Sequence, residues 1–216
     1  MEELLLTFNK NQYKKYLKIK DTSDIELNFD TSFPKINSSS LDSIKAESSK
    51  IYNECNKLLA IKSKQSVFIT SLSRKEIESL IPVFYTVISK IDQSRRNLYE
   101  KSISIANNLQ RNDKIYADIY EQYNDFLPYK AALSENEKYR EKINAIDREF
   151  IESLILSKEQ IDNESSNLLI ITNICDVIIP SFFKEISQAA DAPKFEYFDE
   201  KAFFLALSSF IEKIKI

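Results

Sequence analysis

Residues 74–128 read RKEIESLIPVFYTVISKIDQSRRNLYEKSISIANNLQRNDKIYADIYEQYNDFLP, and their spacing decides the fold. From Ile77 a seam advances in strict four-three steps through Ile81, Phe84, Ile88, Ile91, Arg95, Leu98, Ser102, Ile105, Leu109, Asn112, Tyr116, Ile119, Tyr123 and Phe126. Twelve of these fifteen positions are apolar or aromatic. A period of 3.5 sustained this long is the signature of a helix packed along a coiled-coil seam. Ser73-Arg74-Lys75-Glu76 opens it as a capping box. At 1.5 Å per residue, a helix from Arg74 to Phe126 spans roughly 80 Å.

Leu127-Pro128-Tyr129 predicts the end of that helix, because proline restricts the residue before it. Ser134-x-x-Glu137 predicts a restart, followed by Tyr139, Ile143, Ile146, Phe150, Leu154, Ile161, Leu168, Ile171, Cys175 and Ile178, with an end or kink at Pro180. The short connection makes the two helices antiparallel neighbours. Folding about residue 131 brings Pro82 level with Pro180. It pairs Phe84 with Ile178, Ile91 with Ile171, Tyr116 with Ile146, Ile119 with Ile143 and Tyr123 with Tyr139.

Outside this hairpin, an earlier helix of about Leu41–Ser71 has N-cap candidates in Ser38, Ser39 and Ser40. A short helix of about Phe182–Ala190 follows Pro180. After a break at Asp191-Ala192-Pro193, Asp199 caps a last helix with the face Phe203, Leu207, Phe210 and Ile214. Residues 1–40 are expected to be irregular, with a short helix near Asn11–Ile19 and a break at Phe33-Pro34. The expected fold is all-α and elongated. It combines a long antiparallel coiled-coil hairpin with a four- to five-helix bundle at the end holding the termini. Residues 41–216 then form one domain, with the bundle in 41–91 and 165–216, the stalk in 92–164 and the turn in 127–134.

Composition agrees with few turns and long helices. The 216 residues include no Gly, no His and no Trp. Glycine normally supplies about 7% of residues, where turns need positive φ. Its absence removes phosphate-cradling loops and dinucleotide fingerprints. The absence of His removes Ser-His-Asp, Cys-His and HExxH chemistry. No catalytic residue, cofactor site or metal site is therefore expected, and the chain reads as non-enzymatic.

Charge is balanced, with 30 basic and 33 acidic residues and a net charge of −3. The densest basic run, Lys14, Lys15, Lys18 and Lys20 among Tyr13, Tyr16 and Leu17, is too small for a nucleic-acid footprint and reads as a solvated helix face. Cys55 and Cys175 fall on apolar faces without metal spacing. Leu4-Leu5-Leu6 is too short for a signal peptide, so a cytoplasmic protein, or one exported without such a peptide, is expected.

What remains is a contact surface for a protein partner or for self-association. Tyr120, Tyr129 and Phe126 form a candidate partner-binding cluster at the stalk tip, since aromatics give contact area at low entropic cost. Arg95, Ser102 and Asn112 are polar residues on the seam and candidates for setting register. Ser79–Ser89, without charge, and Asn167–Phe183, carrying only Asp176, read as buried core at the bundle end.

The plan of long hairpin, terminal bundle and missing glycine resembles helical pore-forming toxin components, including xenorhabdolysin-like two-component toxins. The resemblance implies an alternative function as a soluble accessory component acting at membranes. It implies an accessory rather than an inserting subunit because Pro128–Glu135 is too short and polar to be an insertion tongue.

Overall fold

The computed structural model describes residues 8–22, 27, 32–36, 41–63, 71–191 and 194–216. It is all-α. The helices are α1 Lys10–Lys20, α2 Asp42–Ser63, α3 Arg74–Leu133, α4 Glu137–Thr172, a π-helical turn Asn173–Ile178, α5 Ile179–Ala189 and α6 Glu200–Ile214. The serines proposed to cap α2, its predicted extension over 64–70 and Ala192-Pro193 lie outside the described residues.

The chain forms two compact units, one of residues 1–38 with 108–164 and the other of 39–107 with 165–216.

α3 corrects the predicted turn. It does not stop at Pro128 but runs on to Leu133, and the connection is only Ser134-Glu135-Asn136. Proline inside a helix leaves the carbonyl four residues earlier without its N–H partner. Here that carbonyl belongs to Asn124, and it accepts a hydrogen bond from Gln12 Nε2 of α1 at 2.9 Å. The next carbonyl, of Asp125, accepts from Lys15 Nζ at 3.3 Å. α1 thus supplies the donor that Pro128 lacks.

The later turn shifts the register. Tyr123 pairs with Asp147 and Asn112 with Glu164, pairs whose midpoints are 135 and 138 rather than 131. Asn136, not Ser134, caps α4, its Oδ1 accepting from the Lys138 N–H at 3.1 Å. At the other end of α3, Glu76 does reach back to the Ser73 N–H, at 2.7 Å.

None of the fifteen seam residues of α3 is fully exposed. In the unit of residues 39–107 and 165–216, Leu80, Val87 and Ser94 are also buried, alternating with Phe84, Ile91 and Leu98. The buried face is broader there because α2, α5 and α6 share the core. Ile44, Ile51, Cys55 and Leu58 of α2 are buried, as is the whole predicted α6 face of Phe203, Leu207, Phe210 and Ile214. Phe182 and Phe210 stack at 4.1 Å, and Phe84 meets Phe195 edge-on at 5.3 Å. Each buried ring contributes about 1.5–3 kcal/mol of transfer free energy.

Pro180 neither ends nor breaks its helix, since Glu137–Ala189 is continuous. The π-helical turn before it, closed by the Ile179 N–H on the Ile174 carbonyl, widens the backbone where the proline ring would otherwise crowd the preceding turn.

The other unit differs most from expectation. The bundle end was expected to hold both termini, and residues 10–36 to be a connector with one short helix. They belong instead with the α3–α4 turn, where Ile19 and Leu27 share a core with Phe126, Leu133, Tyr139, Ile143 and Ile146. Phe33 packs on Phe150 with ring centroids 5.9 Å apart, and the Lys142 ammonium donates to the Leu27 carbonyl.

Candidate functional site

The aromatic cluster near the turn is arranged by α3 and α4 and covered by the N-terminal segment. Phe126 is fully buried under Ile19 and Leu27, so the expectation that it offers a partner-binding surface is corrected. Tyr129 is half-buried, with Lys15 Nζ 5.0 Å from its ring centroid. Tyr120 stays 42% exposed, edge-on to Tyr116 at 5.3 Å and to Phe150 at 5.7 Å. Beside them Tyr123 stacks on Phe150 at 3.8 Å.

Tyr123 also donates to Asp147 Oδ1 at 2.6 Å, while Lys130 Nζ reaches Asp147 Oδ2 at 2.7 Å and the Tyr123 oxygen at 3.1 Å. Burial, then the bond to Asp147, pushes the Tyr123 phenol above its ordinary value. Burial pulls Lys130 down, but its bonds to Asp147 and Tyr123 outweigh that and leave it raised.

The three polar seam residues behave differently. Asn112 is buried and its Nδ2 donates across the helix pair to the fully buried Glu164 at 3.3 Å. Ser102 turns back on its own helix, donating to the Tyr99 carbonyl at 2.7 Å. Arg95 reaches the Tyr99 hydroxyl at 3.4 Å with one guanidinium nitrogen, while its Nε is buried with no hydrogen-bond partner. Tyr99 in turn donates to Asp176 in the π-helical turn, and that bond is the first cause of its raised pKa.

A second polar pair, absent from the sequence-based expectations, ties α2 to α3. Glu47 is buried and accepts from Asn97 Nδ2 at 3.3 Å and Lys50 Nζ at 2.7 Å. Burial alone would raise its carboxyl, but the hydrogen bonds from Lys50, Asn97 and Ser94 hold it below the ordinary range.

Chemically reactive groups are quiet. Cys55 and Cys175 are both free and buried, and burial pushes their thiols up to about 12 and about 11. Such thiols are protonated at neutral pH and weakly nucleophilic. Among the described residues no group of three or more Cys, Asp or Glu side chains is placed to hold a metal ion.

The outward faces hold what the sequence reading missed. Asn167–Phe183 was expected to be core, and Ile171, Ile174, Cys175, Ile179 and Phe182 are buried. Leu169, however, is 70% exposed and Val177 59%. They lie with Ser165, Ser166, Thr172 and Asn173 on the solvent side of α4 and the π-helical turn, where Asp176 supplies the lone charge between residues 167 and 183. The signal was in the heptad phase, because 169, 173 and 177 fall off the seam of 168, 171, 175 and 178. On α3, Ser79, Pro82, Tyr85, Thr86 and Ser89 form a similar exposed face without charge.

No protein-family model, curated protein or solved structure matches the chain.

Proposed function

We propose that this chain is a non-catalytic scaffold, adaptor or assembly protein, and that a protein partner or second copy covers the outward face of Leu169, Asn173 and Val177. One observation carries the reading: large apolar side chains stand in solvent within a stretch almost free of charge. A solvated helix face is normally charged, whereas the centre of a protein interface is depleted of charge. Even Asp176 is engaged there, by the Tyr99 hydroxyl. Exposed Ile151 and Ile155 on α4 contrast with it, because Arg148, Glu152, Lys158 and Glu159 surround them. In the same reading, the buried Asn112–Glu164 bond fixes the register of α3 against α4 within its own unit.

The test places a photo-crosslinking amino acid at 169 or 177, with 152 in the charged stretch as control, in extracts of the source cell. A discrete adduct from 169 and 177 and none from 152 is expected. Identical adducts from all three positions, or none from any, would contradict the reading.

A second reading, a soluble accessory component of a multi-component helical pore-forming toxin, is favoured by one observation. The Glu137–Ala189 helix contains an 18-residue window of mean hydropathy 1.6, of which only 33% is buried. Such a component would assemble on liposomes and promote dye release together with the product of a neighbouring gene. No release under any pairing removes this reading.

A further inference from the structure

α1 carries five lysines, Lys10, Lys14, Lys15, Lys18 and Lys20, and no acid in its eleven residues. Two of the lysines are used internally. Lys15 reaches the Asp125 carbonyl and the Tyr129 ring, and Lys20 lies over the Tyr16 ring at 5.7 Å. The side chains of Lys10, Lys14 and Lys18 are exposed and make no ion pair or hydrogen bond among the described residues. Their spacing of four puts them on one face, opposite buried Tyr16 and Ile19. Beside this face, on the flank toward Tyr16, stand Leu17, 40% exposed, and Tyr13, 45% exposed and stacked on the Tyr16 ring at 6.2 Å.

Lys18 and Lys20 sit in the last turn, where cations favour the helix dipole, but helix stability does not explain Lys10. Lys10 sits in the first turn, where a cation opposes the helix dipole, and no acid offsets it there. Asp21 ends the face, and Glu121 and Asp125 lie on the opposite flank with Asn11 and Lys15.

We propose that this outward face of α1 docks on an anionic lipid surface. Lysine is a hydrated point charge suited to a diffuse layer of headgroups, whereas protein interfaces favour arginine and are depleted in lysine. Tyrosine is enriched where an apolar body meets a wet headgroup layer, and leucine adds buried area beside it. A single convex helix offers no groove that would select a peptide. Three lysines are also too few for tight duplex binding. The inference rests on α1 alone and holds whichever reading of the other unit is correct.

Sedimentation of the full-length chain with vesicles tests it. The chain is expected to pellet with phosphatidylserine-rich vesicles at low salt, to be released by high salt, and to ignore phosphatidylcholine alone. Replacing Lys10, Lys14 and Lys18 together by Gln should weaken partitioning about a hundredfold, with helical circular dichroism unchanged. A Tyr13→Ser, Leu17→Ser variant should bind more weakly while keeping the salt dependence. Equal binding by the triple-lysine variant, equal binding to neutral vesicles, or no vesicle binding at all would overturn the proposal. Retention on polyglutamate or duplex DNA without vesicle binding would overturn it in favour of those anions.

Discussion

Pro128 lacks the N–H that would close on Asn124, and Gln12 closes on it instead. A neutral hydrogen bond of this kind contributes about 1 kcal/mol net. Gln12 Oε1 also accepts the Asn9 N–H of the α1 capping box at 3.0 Å, so Gln12→Ala should lower the unfolding free energy by at least that amount. In a Pro128→Ala background the backbone satisfies Asn124 itself, and the penalty should shrink, leaving a coupling of about 0.5 kcal/mol or more. Denaturant unfolding of the four proteins measures this, and equal penalties in both backgrounds would contradict it. The Tyr123, Lys130 and Asp147 cluster makes a separate statement about pH. Both Tyr123 and Lys130 titrate above their ordinary values of 10.0 and 10.5. A group whose value is raised in the folded state stabilises fully below its unfolded value and loses that contribution as pH rises through the folded one. Stability should therefore hold at neutral pH and fall as pH climbs past 10, and Asp147→Ala should flatten the fall. An unchanged alkaline slope in that variant would contradict the assignment.

At the scale of elements, the long helices were legible because their signal is periodic and repeated. The seam from Ile77 to Phe126, the Asp199 cap and the α6 face all correspond to packed features. What was illegible depends on contacts distant in sequence. Pro128 reads locally as a helix end, whereas in the fold residues more than a hundred positions earlier supply donors to the carbonyl it leaves open and to the next one. The anchors Tyr16, Ile19, Leu27, Phe33 and Ile36 are buried but follow no period, so the segment reads as a connector. The missing glycine has a consequence as well. In the α5–α6 connection, Phe195 takes a positive φ of 50° where glycine is usual. Its N–H and that of Lys194 close on the Asp191 carbonyl at 3.1 Å, and its ring is buried against Phe84. Phe195→Gly relieves about 1–2 kcal/mol of backbone cost but forfeits about 3–5 kcal/mol of ring burial. Net destabilisation is expected in thermal melts, and a rise in Tm would contradict the packing role.

For the whole molecule, two compact units each have a core of their own, and each presents a different outward chemistry. One carries a lysine face on α1, and the other a nearly charge-free face around Leu169 and Val177. Composition foretold the helices and removed much familiar chemistry, because missing residue types are visible at once. The exposed apolar face was not foretold, because hydropathy along the sequence says how apolar a stretch is and not which of its sides faces water. The central claim is that this face is covered by a partner. It is tested most directly by comparing partner capture by the wild-type chain with capture by a Leu169→Glu, Val177→Glu variant of unchanged helicity. Charges placed at the centre of such an interface should weaken capture of the crosslinked species about tenfold or more. Capture undiminished by both charges would contradict the claim.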